Sequence, residues 1–530
     1  MVDLWVSHVG NICENSILLM SAFIQHIQDI GMSILDRFRQ IWIWTRILLL
    51  AYFKYLRIQL LQQKMNNPLG ISILLIIALI VSGSMALLGL KLSAALLGLT
   101  LAIPFVILSS LYLRIGVLLT LCIAYFFGLI MKYTSAPIGT AVDALFFLLG
   151  LSMMVAYAKK RDWTFPRNGI SIWVIIWVSY NFLMVLNPIA PSKMAWVFTV
   201  RSLAVLHIFY FIVHYALENR KQVFWMLKCL IGLAFLAALY GIKQEFIGYS
   251  AQEWAWLYEN PKRYQLIVQW NRFRAFSFFS DPTTFGTLMA YMGTFSLILA
   301  TAPFVWWKRA ALIGMGLMMF LSMAYAGSRT PFLLVPIAGV FYVMINPKKE
   351  VLIIASLMAL LGTAFVMKST SNAIIYRIQS AFNPAKDASV QVRMENQKLI
   401  QPFIQTHPFG AGLGSTGIWG ERFSPDSWLA GFAHDSGFVR IAVEMGWLGL
   451  LLYMGLLFAA LRMALFYYLR VRDPIIRVVY QALTVVVFML ALACYPQEIT
   501  TLLPTSIIFY IFLAIIARLK DFDEEGYLDQ

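Results

Sequence analysis

Of the six histidines in this 530-residue chain, His434 stands where proton chemistry is easiest to place. It lies in Gly431-Phe432-Ala433-His434-Asp435-Ser436-Gly437-Phe438, directly before a long apolar run. Asp435 and Ser436 are residue types that cap helix starts, so the imidazole is expected at the mouth of a helix. An imidazole titrates near neutral pH and can take or give a proton there. Arg440 and Glu444 follow inside the run, four residues apart on one helix face, where they can pair. Charges within an apolar helix are costly and usually face a polar cavity. Upstream, Ser389 to Thr406 fits an amphipathic helix bearing Arg393. It is expected to stop at Thr406-His407-Pro408, because a residue before proline disfavours helical geometry. His407, at that corner, suits a structural role. The run Phe409-Gly410-Ala411-Gly412-Leu413-Gly414-Ser415 then allows tight turns and close backbone approach, or serves as a flexible connection.

The elements that must hold these groups are membrane helices. The chain is 61% hydrophobic and only 12% charged, against about 25% charged in soluble domains. Several uninterrupted apolar runs approach the ~20 residues needed to span a bilayer. The expected fold is an all-α polytopic helical bundle of about fourteen transmembrane helices, with a partly helical periplasmic loop insertion. The expected spans are 70–89, 92–110, 114–132, 138–158, 169–187, 197–216, 223–246, 283–302, 310–326, 331–346, 350–367, 437–467, 474–494 and 500–518. Grouped, these give an N-terminal segment 1–67, helices over 68–248, a loop 249–282 and helices over 283–367. A larger loop 368–436, helices over 437–518 and an acidic tail 519–530 complete the chain. Within the first segment, Arg39, Arg46, Lys54, Arg57 and Lys64 share one helical sector. That fits a helix lying on anionic lipid or a solvated helix packed on the protein. No cleavable signal peptide is expected. The cysteines Cys13, Cys122, Cys229 and Cys494 are scattered and read as packing residues.

Orientation follows from the short connections. Lys159, Lys160, Arg161, Arg220, Lys221, Lys308, Arg309, Lys348, Lys349, Arg470 and Arg472 fall on one side, and the opposite connections are poor in cations. The positive-inside rule therefore puts both termini in the cytoplasm and the two long polar stretches outside. The net charge of +16 is spread over these connections rather than gathered in one soluble patch, which argues against nucleic acid. The outer stretches carry Lys262, Arg263, Arg272, Arg274, Lys368, Arg377, Lys386, Arg393, Lys398 and Arg422. Long loops escape the charge rule, so these cations call for an anionic ligand or are ordinary surface charge. No acidic pair or histidine cluster suggests a metal site. Asp143, Arg201, His207, His214 and Glu498 are dispersed and receive no role.

In their order and placement these motifs resemble the O-antigen ligase and O-antigen polymerase superfamily. Its late periplasmic loop carries an arginine, a His-Pro-x-Gly-x-Gly stretch, and a His-Asn/Asp-Ser helix start ending in Glu-x-Gly-x-x-Gly. Here these are Arg393, His407 to Gly412, His434-Asp435-Ser436, and Glu444 to Gly449. Arg274 before Phe278-Phe279-Ser280-Asp281-Pro282-Thr283 resembles the family's arginine before Phe-Gly-Asn-Pro-Asn, without either asparagine. Gly327-Ser328-Arg329 resembles its Ser-Arg turn. The likeness covers about Arg272 to Tyr467.

The resemblance implies a bacterial inner-membrane glycosyltransferase of cell-surface polysaccharide synthesis, with its site facing the periplasm and no cofactor or metal. It would move glycan from an undecaprenyl diphosphate-linked oligosaccharide to a hydroxyl of a glycan or of lipid A-core. In that reading His434 is the general base, and Arg274, Arg393 and Arg329 hold the diphosphate. Asp435, Arg440, Glu444 and His407 are supporting residues. The alternative is a fourteen-helix flippase for lipid-linked glycans. Against it stand the absence of paired halves with matching broken helices and the length of the late loop.

Overall fold

The computed structural model describes residues 112–523, apart from 134–137, 162–165, 270–271, 369, 371–372, 383–387, 433 and 435, with a few isolated positions before 110. The chain divides into two compact units, Met1–Pro104 and Phe105–Gln530, and the architecture below is that of the second. The first two expected spans, apart from isolated positions, the segment around Arg39 to Lys64, Asp435 and residues 524–530 lie outside the described residues.

The described helices are α1 (Leu113–Tyr133), α2 (Ile138–Lys160), α3 (Gly169–Leu183), α4 (Lys193–Ala216) and α5 (Arg220–Phe246). Two short helices follow, α6 (Ala251–Tyr258) and α7 (Pro261–Ile267), then a hairpin of β1 (Val268–Gln269) and β2 (Arg272–Phe273). Next come α8 (Pro282–Leu299), α9 (Trp306–Ala326), α10 (Arg329–Ile345) and α11 (Lys349–Met367). The late loop holds α12 (Ala373–Ser380), α13 (Ala388–Thr406) and α14 (Gly417–Phe423). The chain then closes with α15 (Gly437–Arg470), α16 (Pro474–Ala493) and α17 (Thr505–Arg518).

The protein is an all-α membrane bundle. Among the described residues nine helices are long and apolar enough to cross a bilayer, with α10 a shorter apolar one. The expectation of fourteen spans is therefore not established. Twelve of the expected spans coincide with described helices, α1 to α5, α8 to α11 and α15 to α17. The small hairpin, pairing Val268 with Phe273 and Gln269 with Arg272, was not anticipated, since a two-residue strand leaves no alternation to read.

Burial sorts the helices by role. Nearly every residue of α8 and α17 is buried, as is most of α16. A helix apolar on all sides belongs either in a bundle's centre or in lipid, and these three form the centre. By contrast α11 has no buried residue and exposes Ile353, Met358 and Leu360. Its surface suits lipid tails.

Candidate functional site

Helix α15 is not continuous. Gly446 adopts φ 72°, ψ 179°, a region essentially reserved for glycine, so Gly437 to Met445 forms a short outer piece ahead of the long helix. A break frees backbone groups that lipid cannot satisfy. The glycine-rich stretch after Pro408 plugs it. Val443 and Glu444 carbonyls accept from the N–H groups of Ala411 (2.8 Å) and Gly412 (2.9 Å), and Leu448 N–H reaches Pro408 O. The Tyr180 hydroxyl donates to Met445 O at 2.7 Å, and the Asn187 amide donates to Phe409 O and Gly410 O. A Cβ on Gly446 would stand 1.9 Å from Pro408 O. The glycines thus serve close backbone approach, one of the two readings their composition allowed.

Helix α13 braces the short outer piece. It ends at Thr406, as the following His407-Pro408 requires, and its Ile400 and Phe403 pack with Val443 and Phe432. His407 stacks on Phe403 at 4.1 Å, with Nδ1 2.9 Å from Phe403 O and from Thr406 Oγ1. These contacts give it a structural place. Arg393 and Gln397, four apart, share a face of α13, and Gln397 touches Tyr495 Oη. The Nε of Arg393 is buried with no hydrogen-bond partner among the described residues.

At the mouth of the outer piece the imidazole of His434 meets Glu498. His434 Nε2 lies 2.6 Å from Glu498 Oε1, and both side chains are about one-sixth exposed (14% and 16%). The other carboxylate oxygen of Glu498 accepts from Arg440 Nη1 at 2.5 Å. Arg440 Nε donates to Glu444 Oε1 at 3.3 Å, the pair expected from their spacing. Glu444 Oε1 also accepts from Thr416 Oγ1 at 2.6 Å. Two carboxylates therefore flank one guanidinium, and the histidine joins them at the outer end. Burial pushes the Glu498 carboxyl up, but the hydrogen bond from His434 and the charge of Arg440 outweigh it and hold it below the ordinary carboxylate range.

In a neutral imidazole, an Nε2–H donated to Glu498 leaves the lone pair on Nδ1. Nδ1 is buried and without a hydrogen-bond partner among the described residues. Gly417, at φ +63°, backs the ring, and a Cβ there would lie 3.1 Å from His434 Cε1. Ser436 occupies the N-cap position of α15, yet its hydroxyl makes no capping bond and is buried and unpaired among the described residues. The cap expected from Ser436 is therefore absent, and Gly437 N–H instead donates to Cys494 O.

The neighbouring residue, Gln497, carries the polar chain onward. Its amide donates to Asp281 Oδ2 (3.0 Å) and Thr284 Oγ1 (3.2 Å). Asp281 is the N-cap of α8, accepting from Thr284 N–H at 2.7 Å. Beside it, Thr283 Oγ1 accepts from Ser328 Oγ (2.8 Å), which accepts from Arg274 Nη2 (2.9 Å). Arg274 is 4% exposed, and its Nε and Nη1 donate to Ala326 O and Leu266 O. It works as a clamp between the 268–281 segment and the Gly327-Ser328-Arg329 turn. Arg329, half-buried, opens α10 beside Ser328, and its charge bears on Arg274. Gln244 secures the same segment by accepting from Phe276 and Ser277 N–H and donating to the fully buried Glu253.

The structure thus links the regions of Arg274, Arg329, His434, Arg440 and Glu444 at one end of the bundle, and brings α13 with Arg393 to the same loop. Residue reading missed Glu498 and Gln497. Their only signal was an acid and an amide in a short connection otherwise poor in charge. A cavity bordered by Arg440, Glu444 and Glu498 measures about 20 Å³, space for one water. Any larger ligand must therefore approach from the rim.

No curated protein matches the chain significantly. Residues 314–454, just over a quarter of the chain, match the family model described as O-antigen ligase. That segment includes Arg329, Arg393, His407, His434, Arg440 and Glu444 and leaves out Arg274 and Glu498. Through residues 314–454 the chain is thus similar to the O-antigen ligase family.

Proposed function

We propose that the protein transfers glycan from an undecaprenyl diphosphate-linked donor to an acceptor hydroxyl at the periplasmic face of the inner membrane. The observation that carries this reading is the His434–Glu498 contact at 2.6 Å, set at the mouth of a broken membrane helix beside Arg440. The likeness of residues 314–454 to the O-antigen ligase family supports a membrane glycosyltransferase as the chemistry to fit, and each part of the site has a role in it.

The acceptor hydroxyl gives its proton to Nδ1 of His434 while its oxygen attacks the anomeric carbon. The bond from that carbon to the diphosphate oxygen breaks, and undecaprenyl diphosphate leaves with the electron pair, inverting the anomeric centre. Glu498 holds Nε2–H and stabilises the imidazolium that forms, as a carboxylate does in a catalytic triad. Its second oxygen is held by Arg440, which fixes the carboxylate in turn. The leaving diphosphate needs cations, and guanidinium groups supply fixed forks for phosphate oxygens. Arg393, with its unpaired Nε, and Arg329 take that part. Arg274 is spent on backbone carbonyls and Ser328, so it positions the turn that presents Arg329. Because Nδ1 is buried, acceptor binding must shift the ring or the groups that cover it.

The test is transfer in a purified system. Protein in detergent or vesicles, supplied with undecaprenyl diphosphate-linked oligosaccharide, should release undecaprenyl diphosphate in step with acceptor glycosylation. Movement of intact donor across the bilayer, with no cleavage when acceptor is supplied, would sink the enzyme reading and favour the flippase.

A further inference from the structure

The other end of the bundle holds a second constellation that glycosyl transfer does not use. Near the start of α4, Phe198 stacks on Trp419 and Phe423 of α14. Tyr215 lies seventeen residues further along α4, roughly 25 Å away at 1.5 Å per residue. There α1, α2 and the end of α4 enclose a cleft of about 790 Å³. A second of about 440 Å³ adjoins it, sharing Arg114, Ile115 and Ala216 in its wall and extending to the start of α5.

The polar rim is unbalanced. Arg114, Lys159, Lys160 and Lys221 line it, against one carboxylate, Glu218, which pairs with Arg114 at 2.6 Å and Lys160 at 3.5 Å. Lys159 and Lys221 have no ion-pair partner among the described residues. Gln222, on the same rim, accepts from Glu218 N–H through Oε1 at 2.6 Å. Its Nε2 is buried and unpaired among the described residues, so an amide donor waits beside the cations. Below the rim the walls are apolar and open, with Leu151 45%, Val155 52% and Trp225 47% exposed. Orientation by positive charge requires cations in connections. It requires neither a cleft beneath them nor a buried, unsatisfied amide.

We propose that the two adjoining clefts together bind an anionic phospholipid, its headgroup phosphate held between Lys159 of one and Lys221 and the Gln222 amide of the other, its acyl chains lying on Leu151 and Val155 and on Trp225. A soluble phosphate would satisfy the rim and leave the apolar walls without a complement, whereas a lipid satisfies both. Basic pockets between membrane helices recognise such headgroups. The site is independent of the reaction proposed above, since it rests only on the membrane bundle and on residues remote from His434.

The full-length protein, in vesicles of nine parts phosphatidylcholine to one part phosphatidylglycerol, would be crosslinked to a photoactivatable phosphatidylglycerol and the adducts mapped. Adducts should concentrate on the peptides spanning 151–160 and 216–226. A cation near an anionic lipid surface is worth roughly fivefold in affinity, so Lys159→Gln should weaken capture about fivefold and Lys159→Gln with Lys221→Gln about 25-fold. Capture of a matching phosphatidylcholine probe should not change. Unaltered melting temperatures would show that the variants fold. Adducts spread evenly over the lipid-facing helices, or equal capture by folded variants, would overturn the proposal. Displacement of phosphatidylglycerol by millimolar inorganic phosphate would also overturn it, assigning the rim to a soluble anion.

Discussion

Replacing Glu498 with glutamine probes how the site works, because it removes one charge and almost no volume. In the native protein Glu498 receives Nε2–H of His434 on one oxygen and Arg440 on the other. If His434 becomes an imidazolium as it takes the acceptor's proton, the carboxylate faces a full positive charge at hydrogen-bond distance. Two unit charges about 4 Å apart interact by about 4 kcal/mol at the effective dielectric found near protein surfaces. Solvent reaching these partly exposed side chains screens part of that. A hydrogen bond to a charged group contributes a net ~1.5–3 kcal/mol, which is on the order of 10- to 150-fold in rate. A glutamine must also choose. Its oxygen can serve His434 or Arg440, and its amide then points at the other donor. We therefore expect Glu498→Gln to lower kcat by that factor with a small change in KM for the donor, and Glu498→Asp to recover part of it. The assay is initial-rate transfer from lipid diphosphate donor by purified variants, with thermal unfolding measured alongside. A purely structural Glu498 would lower the melting temperature and leave kcat intact in folded protein. That result would refute the reasoning.

Other consequences can be checked with the same preparations. Gly446→Ala would force an L-residue into a glycine-only conformation and drive its Cβ against Pro408 O. The strain is about 1–3 kcal/mol and the clash adds a similar amount, so a lower melting temperature and little active protein are expected; a native-like melt would contradict the broken-helix packing. Arg393→Ala should raise KM for the lipid diphosphate at least tenfold with the fold preserved, and an unchanged KM would remove Arg393 from the donor site. Arg274→Ala should act mainly through stability, because three of its nitrogens bond within the chain; a selective loss of donor affinity in stable protein would argue for direct contact. Glu498 also predicts a pH dependence. Its folded-state carboxyl lies below the ordinary value of 4.5, so its stabilising contribution is fully present above that pH and is lost as pH falls through the folded-state value. The gap in unfolding temperature between wild type and Glu498→Gln should therefore narrow as pH falls below about 5. A gap that widens on acidification would reverse the assigned sign.

Much of this architecture was legible in the sequence because membrane helices are written in apolar length, a local property. The stop at Thr406 was legible from His407-Pro408, and the Arg440–Glu444 pair from its four-residue spacing. The break at Gly446 was not. Arg440 and Glu444 lie just before it but read as a helical pair, and the groups that fill the break come from Pro408 to Gly412, tens of residues upstream. Glu498 was missed for the same reason, since nothing local ties it to a histidine sixty-four residues earlier. Arg274 shows a different limit. Its residue type suggests a phosphate ligand, but type does not reveal burial or the three internal acceptors that hold it. Folding brings together what spacing cannot.

The central claim is that the imidazole at position 434 accepts the acceptor's proton. Its most direct test is His434→Ala, assayed for transfer from undecaprenyl diphosphate-linked oligosaccharide with and without added imidazole, after its melting temperature is matched to wild type. A positioned base contributes about 10²- to 10⁴-fold. The account predicts a loss in that range, partly restored by imidazole; undiminished transfer by the folded variant would contradict it.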